Sequence, residues 1–281
     1  MLVVLIAQYP IVIMHGFDSS AHYMEIIRDT IQSEIENVIV INCEVGNGRW
    51  DSIFMEISHQ IRLLSECISE HPITQNGYIG VGHSQGGYLI RAMLEEYNHK
   101  AAPMVRFISL SGPQRGFFCG VKSKCHGNYL PTFVQKLLFY FQYKGFVQSR
   151  LSPAQYWRNP YKLKAYAKKA ASLPFIHNIR DYNIQRKINF MYVDKIVLFG
   201  GPIDEVISPW QSAFFGVWKE GSDSDIQLYQ DREEYKTDTF GLRSMVEQKR
   251  VIFEETNLHH GDYTTNQKFI AERIVPHLRM N

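Results

Sequence analysis

Residues 78–87 read Tyr-Ile-Gly-Val-Gly-His-Ser-Gln-Gly-Gly, and within them Gly82-His83-Ser84-Gln85-Gly86 has the pattern G-x-S-x-G. A serine flanked in this way can sit on a strained turn between a strand and a helix. Its hydroxyl then projects while the small neighbours let the two backbones pack closely. The setting fits, because apolar Tyr78-Ile79-Gly80-Val81 precedes the serine and Tyr88-Leu89-Ile90-Arg91-Ala92-Met93-Leu94 follows at helical spacing. The expected chemistry is nucleophilic attack by Ser84 Oγ, with close packing alone as the competing explanation of the glycines.

Such a serine needs a base and an acid that orients the base, and after this kind of turn they follow in the order acid, then His. Asp204 lies in Gly200-Gly201-Pro202-Ile203-Asp204, just past an apolar run, where the loop at a strand's C-terminal end can aim a carboxylate at the serine. Glu205 and Asp194 are its rivals, and a plain turn-former is the bland reading of Asp204. For the base, His259 and His260 stand together before the last helical segment, and the residues alone leave the choice between them open. His83 and His15 read as supporting residues. The developing oxyanion needs two backbone N–H donors: that of Gln85, and that of Phe17 in Met14-His15-Gly16-Phe17-Asp18-Ser19-Ser20, which otherwise is only a glycine turn.

The scaffold that must hold these groups is legible as alternation. Short runs rich in Val, Ile, Phe and Tyr at 11–14, 38–41, 78–81, 107–110, 196–199 and 251–253 predict parallel strands. Between them, 24–35, 53–68, 88–97 and 269–278 carry apolar residues at helical spacing. Strand and helix in alternation predict an α/β fold with a mostly parallel central sheet and helices on both faces. Over about 117–192 the rhythm breaks and no strong strand signal appears. Eleven aromatics fall between Tyr129 and Tyr166 there, so the stretch is expected to be a helical cap inserted into a single domain spanning 1–281. An ordinary helical subdomain packed on itself is the alternative.

Composition narrows the function. Lys+Arg 30 against Asp+Glu 28 gives a net charge of +2, no block of like charges stands out, and nucleic acid is not an expected partner. No apolar run approaches the roughly 20 residues that cross a bilayer, and neither a CxxC nor a Cys/His zinc spacing is present. Met1-Leu2-Val3-Val4-Leu5-Ile6-Ala7 reads either as a short secretory apolar segment without its basic flank or as a buried strand. Cys119 and Cys125 flank a short loop and are expected to pair in an oxidising compartment, while Cys43 and Cys67 are expected to be buried free thiols. The absence of any Asn-x-Ser/Thr acceptor removes one mark of secretion.

Taken together the motifs resemble the palmitoyl-protein thioesterases of the α/β-hydrolase superfamily, in particular their type 2 branch. The resemblance rests on Val12-Ile13-Met14-His15-Gly16-Phe17-Asp18-Ser19-Ser20, on Gly82-His83-Ser84-Gln85-Gly86-Gly87, and on Phe107-Ile108-Ser109-Leu110-Ser111-Gly112-Pro113-Gln114-Arg115-Gly116. It extends to Tyr156-Trp157-Arg158-Asn159-Pro160 and to the long, distinctive Gly200-Gly201-Pro202-Ile203-Asp204-Glu205-Val206-Ile207-Ser208-Pro209-Trp210-Gln211-Ser212-Ala213-Phe214-Phe215-Gly216. It implies Ser84 as nucleophile, Asp204 as acid and His260 as base, with His259 filling the slot before it. The implied substrate is a fatty acyl thioester, either palmitoyl-CoA or an S-acylated protein, and no metal or other cofactor is implied. The implied location is the lysosome or a related endomembrane lumen. A long acyl chain needs an apolar groove, for which Trp157, Trp210, Phe214 and Phe215 are candidates. An oxygen-ester lipase or carboxylesterase, and a catalytically inactive lipid-binding protein on the same fold, are the competing readings.

Overall fold

The computed structural model describes residues 8–98, 102–119, 138 and 140–280. Its centre is a six-stranded sheet of β1 (Ile11–Met14), β2 (Val40–Cys43), β3 (Tyr78–His83), β4 (Met104–Leu110), β5 (Lys195–Gly200) and β8 (Val251–Glu255). The spatial order is β2-β1-β3-β4-β5-β8 and every adjacent pair is parallel. A small antiparallel pair, β6 (Val217–Trp218) and β7 (Ile226–Gln227), stands apart. Side chains alternate across the sheet. Val12 and Met14 join one buried cluster and Ile11 and Ile13 the other, and all four are fully enclosed. Burial on both faces is why these strands read as unbroken apolar runs and not as an alternating pattern.

Helices α1 (Glu25–Glu34), α2 (Arg49–Phe54), α3 (Ile57–Ser69) and α4 (Gln85–Tyr97) cover the sheet together with the helical run at 267–278. The helix expected over 53–68 is in fact two. Met55 and Glu56 take extended ψ angles of 139° and 143° between α2 and α3. Ile53, Ile57, Ile61, Leu64 and Ile68 are all buried across this break, so the apolar period runs through it unmarked. Side chains take up the backbone groups it frees: Gln60 Nε2 donates to Met55 O (2.8 Å), and Gln155 Oε1 accepts from Ile57 N (3.2 Å). Strand β2 begins two residues later than expected, because the ladder with β1 opens at Ile11 opposite Val40.

Between β4 and β5 the described residues form short helices, Gly145–Gln148, Ser152–Gln155, Leu163–Lys169, Leu173–Ile176 and Ile184–Phe190, and no strand. Phe117 and Trp157 meet in an isolated bridge, Arg158 N donating to Phe117 O (2.9 Å), which fastens this stretch to the chain leaving β4.

Cys43 and Cys67 form a disulfide, Cα–Cα 6.1 Å, and are not the free thiols expected from the sequence. The end of β2 and the last turn of α3 face each other in the first buried cluster, and that approach has no signature in the sequence spacing. Cys119 is disulfide-bonded too; the pairing expected with Cys125 lies outside the described residues, as does the segment Met1 to Ala7. Closing a loop with a sequence separation of 24 stabilises by about 3 kcal/mol. A Cys43→Ala/Cys67→Ala variant is therefore expected to unfold at a clearly lower urea concentration, and an unchanged midpoint would contradict that role.

Candidate active site

Ser84 has φ 54° and ψ −127°, a conformation that costs a non-glycine residue on the order of 1–3 kcal/mol. The surroundings impose it. A Cβ on Gly82 would collide with the backbone of Gly86, and one on Gly86 with the carbonyl of Met14, so the first turn of α4 can approach β3 and β1 only with glycine at both positions. Ser84 N donates to Leu110 O (2.9 Å), and Gly87 N donates to Ser84 O (2.9 Å), fixing the turn from β4 and from α4. The loop after β1 closes on the serine from the other side: a Cβ on Gly16 would sit 2.9 Å from Ser84 Cβ. Phe17, which follows Gly16, is partly buried against the core, and Gln85 is 1% exposed.

At the far end of β5 the turn through Gly201 brings Asp204 inward, Asp204 N donating to Gly201 O (3.2 Å). Asp204 Oδ1 accepts from the N–H groups of Val206 (2.9 Å) and Ile207 (3.0 Å). Its Oδ2 accepts from Ser111 Oγ and lies 2.8 Å from His260 Nδ1. Burial alone would raise this carboxyl, but His260, Ser111 and the Ile207 N–H outweigh it and hold it down at about 2. Neither rival is recorded against the His260 ring. Glu205 pairs with His259 (3.2 Å), whose side chain is 67% exposed, and accepts from the backbone N–H of His260 (3.2 Å), and Asp194 sits just before β5 bound to Arg106, beyond the opposite end of the sheet.

His83 links the two halves of the site. Its Nε2 donates to His260 O (2.9 Å) and its ring centroid lies 4.7 Å from that of His260. Loss of solvent around the ring, and then the neighbouring His260, push His83 down to about 3, so it stays neutral. A histidine depressed in the folded protein adds stability that is complete above its ordinary value near 6.5 and is lost as pH falls from there towards 3. His83→Gln, neutral at every pH, is expected to flatten that acid limb. Urea midpoints at neutral and acid pH test this, and equal acid losses in both proteins would refute it. His15 serves the scaffold, its Nε2 donating to Glu44 Oε1 (2.5 Å), which also accepts from Val45 N (3.0 Å).

The aromatic candidates divide. Trp157 is buried edge-on to Phe117 and Phe118, and Phe215 is buried beneath the Arg91 guanidinium, 4.8 Å from its ring centroid. Trp210 and Phe214 are only partly buried, ring against ring at 5.8 Å, with Phe253 beyond.

Sequence reasoning missed the side chain of Gln85. Its Nε2 donates to Ser52 O (3.0 Å) and Gln60 Oε1 (2.9 Å), while its Oε1 accepts from Ser152 Oγ (2.9 Å) and Tyr156 OH (2.7 Å). The residue after Ser84 is thus fully satisfied in a buried network joining α2, α3 and the 152–156 segment. Only a chain-distant glutamine pattern could have signalled it, and no local spacing carries that.

A parallel sheet with a strained serine between β3 and α4, and a buried Asp–His pair on the loops after β5 and β8, defines an α/β hydrolase. An esterase from Exiguobacterium antarcticum shares this fold (TM-score 0.54, 12% identity, covering 97% of this chain and 92% of that one). The family model described as palmitoyl protein thioesterase matches residues 10–260, and the chain belongs to that family. It is similar to palmitoyl-protein thioesterase 3 of Dictyostelium discoideum, 31% identical over 92% of this chain and 86% of the relative. It is similar also to the lysosomal thioesterase PPT2 homolog of Drosophila melanogaster, 33% identical over 97% and 93%.

Proposed function

We propose that this protein hydrolyses long-chain fatty acyl thioesters, with Ser84 as nucleophile, His260 as general base and acid, and Asp204 as the acid that orients His260. The observation that carries the reading is the buried Asp204–His260 contact, tied to the strained Ser84 turn through the neighbouring His83, whose Nε2 donates to His260 O (2.9 Å). His260 takes the Ser84 Oγ proton as Oγ bonds to the thioester carbonyl carbon. The N–H groups of Gln85 and Phe17 receive the oxyanion. Collapse of the tetrahedral state breaks the C–S bond, and His260 returns its proton to the leaving thiolate. Water, deprotonated by His260, then cleaves the acyl-serine to the free fatty acid and regenerates Ser84.

In this reading the described helices between β4 and β5, over 145–190, belong to a cap over the sheet's C-terminal edge, and the part of the expected 117–192 cap at 120–137 and 139 lies outside the described residues. Trp210 and Phe214 wall an acyl groove, while Trp157 and Phe215 support it from within. The carrier is coenzyme A or a protein cysteine, and the compartment is the lysosomal lumen. Two things support that location: the name of the Drosophila relative, and a Cys43–Cys67 disulfide of the kind that persists where conditions are oxidising. Among the described residues no helix is long and apolar enough to cross a membrane.

Purified protein assayed on palmitoyl-CoA beside p-nitrophenyl palmitate tests the assignment. Thioester cleavage that disappears in Ser84→Ala is the expected result. Cleavage of the oxygen ester alone would make the protein a lipase or carboxylesterase, and cleavage of neither by folded protein would favour lipid binding.

A further inference from the structure

The outer side of the stretch between β4 and β5 carries two features that an ordinary solvated face does not combine. The first is a cluster of exposed rings. Tyr140, Phe141 and Phe146 are all exposed, with successive ring centroids 6.3 Å and 6.1 Å apart. Single apolar residues are common on a protein surface, whereas a cluster of them marks a contact. The chain here is two-sided: Gln142, Tyr143, Val147 and Gln148 point inward and are buried, so the three rings are the residues that packing leaves outside.

The second feature is charge of a single sign. Lys144 and Arg150 are exposed in the same segment as the rings, and Lys162, Lys164, Lys168 and Lys169 are exposed along the helix Leu163–Lys169. Lys164 and Lys168 stand four apart on that helix, a spacing at which like charges repel. No neighbour in sequence offsets them, since residues 97–180 contain no Asp and no Glu. Hydrogen bonds tie the two features together. Asn159 Nδ2 donates to Gln142 Oε1 (3.0 Å) and Ala171 N donates to Gln148 Oε1 (2.7 Å), which fastens the segment with the rings to the chain just before and just after the lysine helix. The same stretch reaches inward to the residue after Ser84, through Ser152 and Tyr156 on Gln85.

We propose that this face docks on an anionic lipid bilayer, with the lysines and Arg150 against the headgroups and Tyr140, Phe141 and Phe146 at the boundary with the acyl chains. Charge alone suits an acidic protein as well as a lipid surface. Basic groups interspersed with exposed aromatic rings suit a bilayer better, because it offers anionic headgroups and an apolar layer within one side chain's length of each other. Docking needs no acyl transfer. Only its consequence, that a substrate whose acyl chain lies in a membrane is met at its own surface, rests on the thioesterase reading.

The full-length protein is sedimented with vesicles of phosphatidylcholine alone and with vesicles in which about one-third of the lipid is phosphatidylserine, neither containing a thioester. Binding to the anionic vesicles, little to the neutral ones, and a decline with added salt are expected. Lys164→Gln/Lys168→Gln is expected to raise the vesicle Kd roughly 30-fold, at about fivefold for each basic group. Phe141→Ser/Phe146→Ser is expected to weaken binding while leaving its salt dependence unchanged. All four side chains are exposed, so both variants should melt close to wild type. Wild-type protein that stays in solution with anionic vesicles would overturn the proposal, and so would a folded Lys164→Gln/Lys168→Gln protein that binds them as wild type does. Equal affinity for soluble polyglutamate, unaltered by Phe141→Ser/Phe146→Ser, would also overturn it and make this a protein-docking face. None of these outcomes reads Ser84 chemistry, so a failure here leaves the thioesterase reading standing.

Discussion

Ser84→Ala is expected to lower kcat for palmitoyl-CoA by at least about 10⁴-fold, with the fold intact. The magnitude follows from the role, since losing a serine nucleophile leaves only what binding and oxyanion donors supply. Structural damage should be small, because an alanine at this position takes the same φ of 54° as the serine and the turn is fixed by backbone hydrogen bonds that the substitution keeps. Ser84→Gly sharpens the test. Glycine adopts that conformation without strain, so this variant should melt at or above wild type and be equally inactive, which is the mark of a residue kept in a costly geometry for its chemistry. A Ser84→Ala protein retaining a tenth of wild-type turnover would remove Ser84 from the mechanism.

Asp204→Asn should lower kcat by about 10³–10⁴-fold, comparable to the loss of the orienting aspartate in a serine protease. Oδ1 of an asparagine can still accept from the Val206 and Ile207 N–H groups. Its NH₂, however, replaces the oxygen that accepts from Ser111 Oγ and faces His260 Nδ1. The imidazole is then steered to the wrong tautomer, with Nε2 protonated and unable to take the serine proton. Glu205→Gln is the matched control: Glu205 pairs with the exposed His259 and accepts from His260 N (3.2 Å), an acceptor role that glutamine Oε1 keeps, so kcat should change less than about threefold. Comparable losses in the two variants, read as kcat at saturating substrate, would count against Asp204 as the orienting acid.

The centre of the sheet was legible because its inner strands are buried on both faces, so Ile11 to Met14 or Ile196 to Phe199 had to be continuous apolar runs. The turn at Ser84 was legible for a steric reason, since its neighbours must be glycine. What sequence could not supply was proximity. His259 and His260 are adjacent in the chain and differ only in that one turns outward to Glu205 and the other inward to Asp204. The Cys43–Cys67 bridge depends on β2 and α3 meeting. The break at Met55 is hidden because the apolar period passes through it, and its compensation comes from Gln155, far along the chain. Net charge, near zero, averages away the separation of acidic residues from the 97–180 stretch.

The network around Gln85 bears on how such an enzyme can change its substrate range. Ser152 and Tyr156 grip the same residue whose N–H faces the reacting carbonyl in the proposed mechanism. In that proposal rate is coupled to the packing of 152–156. A substitution that reshapes 152–156 also perturbs the residue that follows Ser84. Trp210 and Phe214, by contrast, are joined to each other and to Phe253 through ring contacts. With the proposed acyl groove on their side, selectivity can drift there at little cost to turnover, while the Gln85 network stays fixed.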